Sequence, residues 1–136
     1  LYIRDTGLCH SLLGIRTLDA LMGHPVFGAS WEALCVETLC DSFPEAIASY
    51  YRTSNGAEID LVLETGKRRF AFEFKASSAP QLTRGFYSAL EDLTPEKTYV
   101  VCPIQGSYPL GKDIRACGLV ECVEMHRHDI QDKTRT

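Results

Sequence analysis

The sequence predicts an α/β domain with a mixed central sheet flanked by helices, and three observations carry that prediction. Two runs, Glu58 to Glu64 and Arg69 to Lys75, alternate side chains with the period of two that belongs to strands. Between them and the apolar run Thr98 to Cys102 lies a segment with helical spacing, and strand, helix, strand in succession implies a right-handed crossover and a partly parallel sheet. The length, 136 residues, suits a single core that buries roughly two-thirds of the unfolded chain's surface.

The elements follow in chain order. Asp5 and Thr6 are capping types ahead of Leu8, Leu12, Leu13 and Ile15, predicting a short helix that ends near Gly14, with a further turn or two over Arg16 to Met22. Gly23, His24 and Pro25 break the pattern. Ser30 is the expected N-cap of the clearest helix, in which Trp31, Leu34, Cys35, Thr38 and Leu39 recur at helical spacing and which should stop before Pro44. Ala48 to Thr53 is the first strand, and Ser54, Asn55 and Gly56 are its turn. In the next strand Ile59, Leu61 and Leu63 point one way and Glu58, Asp60 and Val62 the other. Phe70, Phe72 and Phe74 likewise oppose Ala71, Glu73 and Lys75, so one sheet face is expected to be apolar and the other charged. Gln81 to Leu93 reads as a helix entered at Pro80, with Leu82, Phe86, Leu90 and Leu93 on one side. Thr98 to Cys102 is a buried strand, Pro103 to Gly111 a loop, Gly118 to Met125 a last strand, and the chain after His126 a frayed tail. The expected organisation is one domain, with a helical lead-in over 1–27, a core over 28–125 and a tail over 126–136.

Composition removes several function classes. Charged residues make up 24% and hydrophobic residues 45%, which is not a disordered chain, and no apolar run approaches the ~18 residues a membrane span requires. The net charge of -4 argues against binding nucleic acid through bulk electrostatics alone. Six cysteines with no CxxC pair fit reduced thiols in a cytoplasmic protein better than a zinc site. The chain begins at Leu1 without a leader and reads as a fragment of a longer protein.

Turn chemistry allows the register of the central hairpin to be derived. A two-residue loop at Gly66 and Lys67 suits a type II′ turn, with Gly at the position that needs positive φ. Thr65 then faces Arg68, Leu63 faces Phe70, Leu61 faces Phe72, and Asp60 faces Glu73; a three-residue loop would shift the pairing by one. Facing carboxylates repel unless neutralised, and a hard divalent cation neutralises them. Lys75, on the same side as Glu73, would lie beside such an ion. The alternative is a solvated strand face with an ordinary ion pair.

An Asp followed thirteen residues later by Glu-x-Lys on the neighbouring strand resembles the restriction-endonuclease-like, PD-(D/E)xK superfamily of metal-dependent nucleases, matched here by Ile59-Asp60 and Glu73-Phe74-Lys75. The Pro that often precedes the Asp is replaced by Ile59. Members similar to archaeal Holliday-junction resolvases also carry a Glu on the preceding helix, and Gly28-Ala29-Ser30-Trp31-Glu32 resembles that start. A closer resemblance covers about residues 1 to 125. The stretches Tyr2 to Leu8, His24-Pro25, Gly28 to Glu32, Tyr51 to Asp60 and Phe72 to Lys75 are similar to the C-terminal domain, of unknown function, of a prokaryotic family of AAA-type ATPases. The resemblance implies a restriction-endonuclease-like fold. It also implies Mg²⁺ or Mn²⁺ held by Asp60, Glu73 and the Phe74 carbonyl, with Glu32 as a third acid and Lys75 positioning water. An N-terminal ATPase module would precede this chain, which itself has no GxxxxGK[ST] phosphate loop and so no ATP site.

Other residues divide between roles. Glu32 also suits the first turn of a helix as a complement to its dipole. Gln81 and Arg84 are candidates for substrate phosphate or for plain solvent exposure. Tyr50, Tyr51 and Arg52 offer nucleic-acid contacts or, as the simpler reading, a strand packed into the core. Lys67, Arg68 and Arg69 form a charged hairpin tip, and His126 and His128 belong to the tail. The expected function is a metal-dependent DNA nuclease domain with catalytic Glu32, Asp60, Glu73 and Lys75, in a cytoplasmic protein that partners DNA and no membrane, with a homo-oligomer as an option. The alternative is a non-catalytic regulatory module that binds nucleic acid or protein for the ATPase.

Overall fold

A computed structural model describes residues 26–132. The helices expected before Pro25, and Cys9, lie outside the described residues. The elements are α1 (Val26–Ser42), β1 (Ile47–Arg52), β2 (Glu58–Thr65), β3 (Arg68–Phe74), α2 (Arg84–Leu93), β4 (Lys97–Val101), β5 (Ser107–Gly111), β6 (Ile114–Cys117) and α3 (Leu119–Asp132). The six strands form one mixed sheet in the order β1-β2-β3-β4-β6-β5. β3, β4 and β6 run parallel, while β1 with β2, β2 with β3, and β5 with β6 pair antiparallel. The expected mixed sheet flanked by helices is therefore present.

The central hairpin has the register derived from its turn: Thr65 pairs with Arg68, Leu63 with Phe70 and Leu61 with Phe72. Gly66 sits at φ 64°, a conformation that costs glycine little and a β-carbon much. The expectation of one apolar and one charged face is corrected, because helices cover both. Leu61, Leu63, Phe70, Phe72 and Phe74 pack with Cys35 and Leu39 of α1 and Cys122 of α3. Val62, Ala71 and Val100 pack on the other side with Phe86, Ala89 and Leu93 of α2. A sheet sandwiched in this way needs near-continuous apolar strands in its middle, which β3 and β4 supply.

Several local expectations change. α1 begins at Val26, so Ser30 is not its cap but a buried residue inside it, and Leu34 is exposed. α2 begins at Arg84 rather than Gln81, because the Thr83 hydroxyl accepts the Phe86 N–H at 3.1 Å and caps the helix there. β1 is an exposed edge strand rather than a core strand. Ser107 to Gly111, expected as loop, is the opposite edge; Pro109 is tolerated there because an edge strand leaves one side of its backbone unpaired. Gly85 packs against the turn after β1, where a methyl group would collide with the Gly56 carbonyl oxygen.

The largest correction is at the C-terminus. Leu119 to Asp132 is a helix, not a strand and a frayed tail, and His126 is fully buried. Its ring makes edge-type contacts with Phe43, Phe70, Phe72 and Tyr99, and neither ring nitrogen has a hydrogen-bond partner among the described residues. Counting His126 as a core residue restores a helical pattern of Leu119, Cys122, Val123, His126 and Ile130. His128 instead pairs with Asp132 at 3.0 Å on the surface. The four cysteines Cys35, Cys102, Cys117 and Cys122 are buried free thiols, as expected.

Burial lowers the His126 pKa from 6.5 to about 4; Asp129 opposes that shift and Arg68 adds to it. The folded protein thus holds a neutral imidazole that the unfolded chain protonates first, so this contribution to stability is present above pH 6.5 and lost as pH falls toward 4. His126→Phe should remove that acid-side loss, which amounts to at most about 1.4 kcal/mol per pH unit. Thermal denaturation of both proteins from pH 7 to pH 4 checks it, the variant gaining most at the acid end.

Candidate functional site

The site forms where the β2–β3 ladder stops. Ser49 of β1 pairs with Val62, but Tyr51 pairs with Ile59, so β2 uses one residue more than its partner over this stretch. This bulge moves Ile59 out of line with Leu61 and into the cluster under α2, alongside Val62, contrary to the simple alternation expected. It also changes what Asp60 does. The Phe74 N–H, which an uninterrupted ladder would give to a backbone carbonyl, donates to Asp60 Oδ2 at 2.9 Å.

Asp60 and Glu73 come together as expected. Glu73 is only 4% exposed, and its pKa is pushed up to about 9, first by burial, then by a side-chain hydrogen bond with Asp60 and that carboxylate's charge. Lys75 acts in the opposite direction on Glu73, which places its positive charge within reach of the pair. Burial and the neighbouring Asp60 carboxylate both favour the protonated form of Glu73. Two carboxyl groups in such proximity form a donor set suited to a hard divalent cation.

A second tie positions the remaining candidates. The Val101 carbonyl, at the end of β4, accepts the Lys75 N–H at 3.0 Å and Trp31 Nε1 at 3.1 Å. Trp31 thereby anchors α1 over the end of the sheet. The next residue, Glu32, lines a cleft of about 370 Å³ between α1 and β1, together with Val36, Tyr50, Arg52, Glu58 and Asp60. Glu32 thus shares a cleft with Asp60, but among the described residues no three His, Cys, Asp or Glu side chains converge in a metal-holding group.

The other nucleic-acid candidates are more dispersed. Arg52 lies on the cleft wall, its guanidinium largely exposed and 3.4 Å from Glu58. Gln81 and Arg84 are exposed at the start of α2 and do not line that cleft. Of the hairpin-tip cations, Arg68 forks onto Glu96 at 2.9 Å and donates to the Asp129 and Ile130 carbonyls, while Arg69 donates to the Leu93 carbonyl at 2.8 Å. These two close helix ends. Only Lys67 remains as an exposed cation there.

With this geometry in place, likeness to known proteins becomes informative. The family described as "Domain of unknown function (DUF4143)" matches residues 27–122. The chain belongs to the DUF4143 family. Two relatives, uncharacterised proteins of Mycobacterium tuberculosis and Mycobacterium bovis, are each 40% identical over 116 residues, covering 85% of this chain and 26% of their own length. The chain thus spans about a quarter of the curated relatives it matches. The DUF4143 match runs from the start of α1 to the first turn of α3 and includes Glu32, Asp60, Glu73 and Lys75. Among the described residues no helix is long and apolar enough to cross a membrane.

Two outcomes are expected at this site. Trp31→Phe, which keeps the ring but loses the Val101 bond, should cost about 1 kcal/mol, and Trp31→Ala about 3 kcal/mol, in urea denaturation. Glu73→Gln keeps a donor for Asp60 and has no charge to desolvate. Because the folded-state pKa of about 9 lies above the ordinary 4.5, wild-type stability falls as pH rises between those values. Glu73→Gln should flatten that decline, so its melting temperature gains on wild type at pH 8 more than at pH 5.

Proposed function

We propose that this chain is a metal-dependent phosphodiesterase domain of PD-(D/E)xK type that acts on DNA and is attached to an AAA-type ATPase in the longer protein. The observation that carries the reading is the meeting of Asp60, Glu73 and Lys75 at the ends of β2 and β3. It is supported by the resemblance of these residues to the nuclease signature and by the length of the relatives, which leaves room for an ATPase module. Asp60 and Glu73, with the Phe74 carbonyl, would hold Mg²⁺ or Mn²⁺, and Glu32 would act from the cleft wall. When bound, such an ion polarises a phosphoryl oxygen and makes water a better nucleophile.

The chain's own residues do the rest. Lys75 places an ammonium beside the carboxylates, where it orients the attacking water and offsets negative charge that grows on the phosphoryl oxygens. The water oxygen forms the new bond to phosphorus, the bond from phosphorus to the leaving sugar oxygen breaks, and that oxygen takes up a proton. Asp60 is held in place by the Phe74 N–H and Lys75 by the Val101 carbonyl, so both sit on strand ends rather than mobile loops.

A second reading has its own support. The lack of a converging three-residue metal group among the described residues, with a net charge of -4, favours a non-catalytic module that binds nucleic acid or protein for the ATPase.

Calorimetry with Mn²⁺ and Mg²⁺, paired with cleavage of plasmid and branched DNA, separates the two. Asp60→Asn should lose both metal binding and cleavage, and Lys75→Ala should keep metal binding while cleavage falls about 100-fold or more. Circular dichroism should show both variants folded, since Asn still accepts the Phe74 N–H. Absence of metal binding at millimolar concentration, with DNA present, would overturn the nuclease reading and leave the regulatory module.

A further inference from the structure

The exposed aromatic ring in the middle of β1 calls for a reason. Tyr50 is 74% exposed and lines the cleft that leads to Asp60. Its neighbour Tyr51 also borders the cleft, but it packs against the α2 cluster and donates its hydroxyl to Asp92 at 2.8 Å. One tyrosine is thus committed to the fold and the other is left in solvent on a cleft wall. Arg52, two residues further and on the Tyr50 side by strand alternation, has a side chain 70% exposed and paired with Glu58, itself 50% exposed. An exposed pair of that kind is worth little, so the guanidinium can exchange its partner for a phosphate.

We infer that the cleft between α1 and β1 takes an unpaired nucleotide of a single-stranded DNA, its base stacked on Tyr50 and its phosphate reached by Arg52, which brings the next linkage toward Asp60. The inference rests on the phosphodiesterase reading and names its substrate class. Two physical points select a single strand. A base inside a duplex is stacked on its neighbours and offers no face to a side chain, whereas every unpaired base does. Among the described residues the cleft lining sets Glu58 and Asp60 beside the cation Arg52, so phosphate attraction is weak there and stacking carries the binding. Binding should accordingly depend only weakly on salt.

The test is fluorescence anisotropy of a labelled oligothymidylate and of a hairpin duplex of equal length, with the whole chain. Measurements are made in wild type and in Asp60→Asn, and each is combined with Tyr50→Ala or Tyr50→Phe. The expected result is preference for the single strand, about tenfold weaker binding in Tyr50→Ala, retention in Tyr50→Phe, and a shallow salt slope. Because Tyr50 contributes little to the core, Tyr50→Ala should melt within a degree or two of its parent. Equal affinity for duplex and single strand, or indifference to Tyr50→Ala, overturns the inference. So does self-association in sedimentation velocity that Tyr50→Ala abolishes without any oligonucleotide binding, which would make this face a protein interface. Tyr50-dependent single-strand binding without metal-dependent cleavage supports the cleft assignment and overturns only the nuclease reading. Duplex cleavage without Tyr50 dependence does the reverse.

Discussion

The antiparallel ladder between β2 and β3 is the contact on which every other element leans. It lies inside the sheet with helices on both faces, and its register puts Leu61, Leu63, Phe70 and Phe72 in one core and Val62 and Ala71 in the other. Because side chains alternate strictly, a slip of one residue would exchange the two cores, which differ in volume and in the helices they receive. The turn at Gly66 and Lys67 prevents that slip. Where the ladder ends, a side chain takes over: Asp60 accepts the Phe74 N–H, and the candidate site begins.

The ends of the sheet are tied by a few polar groups placed where apolar packing stops. The Val101 carbonyl receives donors from β3 and from α1, and so joins three elements at the edge of the site. At the other end Arg68 bonds Glu96 and the last carbonyls of α3, supplying a cation where a helix C-terminus leaves acceptors unpaired. Lys97 and the Tyr99 hydroxyl both bond Asp129, which fixes the same helix from β4. Among the buried ionisable groups, burial favours the neutral form of both Glu73 and His126. Glu73 lies beside Asp60, which lines an open cleft, whereas His126 is enclosed by aromatic rings, and that separates a site from a core residue.

Membership in DUF4143 gives the chain a family without giving it a chemistry, so function has to be argued from the site. The acidic pair, the lysine beside it and the aromatic wall of the adjoining cleft lie on different elements and belong to one end of the sheet. The net charge of -4 argues against an interface that works through a basic surface alone.

Sequence by itself determined the mixed sheet, the hairpin register, the parallel step from β3 through α2 to β4, and the meeting of Asp60 with Glu73. Each of these is set by short-range chemistry: a glycine that accepts positive φ, strand alternation, and an amphipathic helix between two strands. Only the tertiary structure decided the rest. Gly118 to Met125 alternates well enough to be a strand, and it is the burial of His126 among Phe43, Phe70, Phe72 and Tyr99 that makes it part of a helix. Ser107 to Gly111 pairs although it contains Pro109, because it falls at an edge. The β2 bulge that turns Asp60 toward α1, and the Trp31 bond that brings Glu32 to the same cleft, join residues far apart in the chain. Their energies depend on which surfaces meet, and a local pattern carries no record of that.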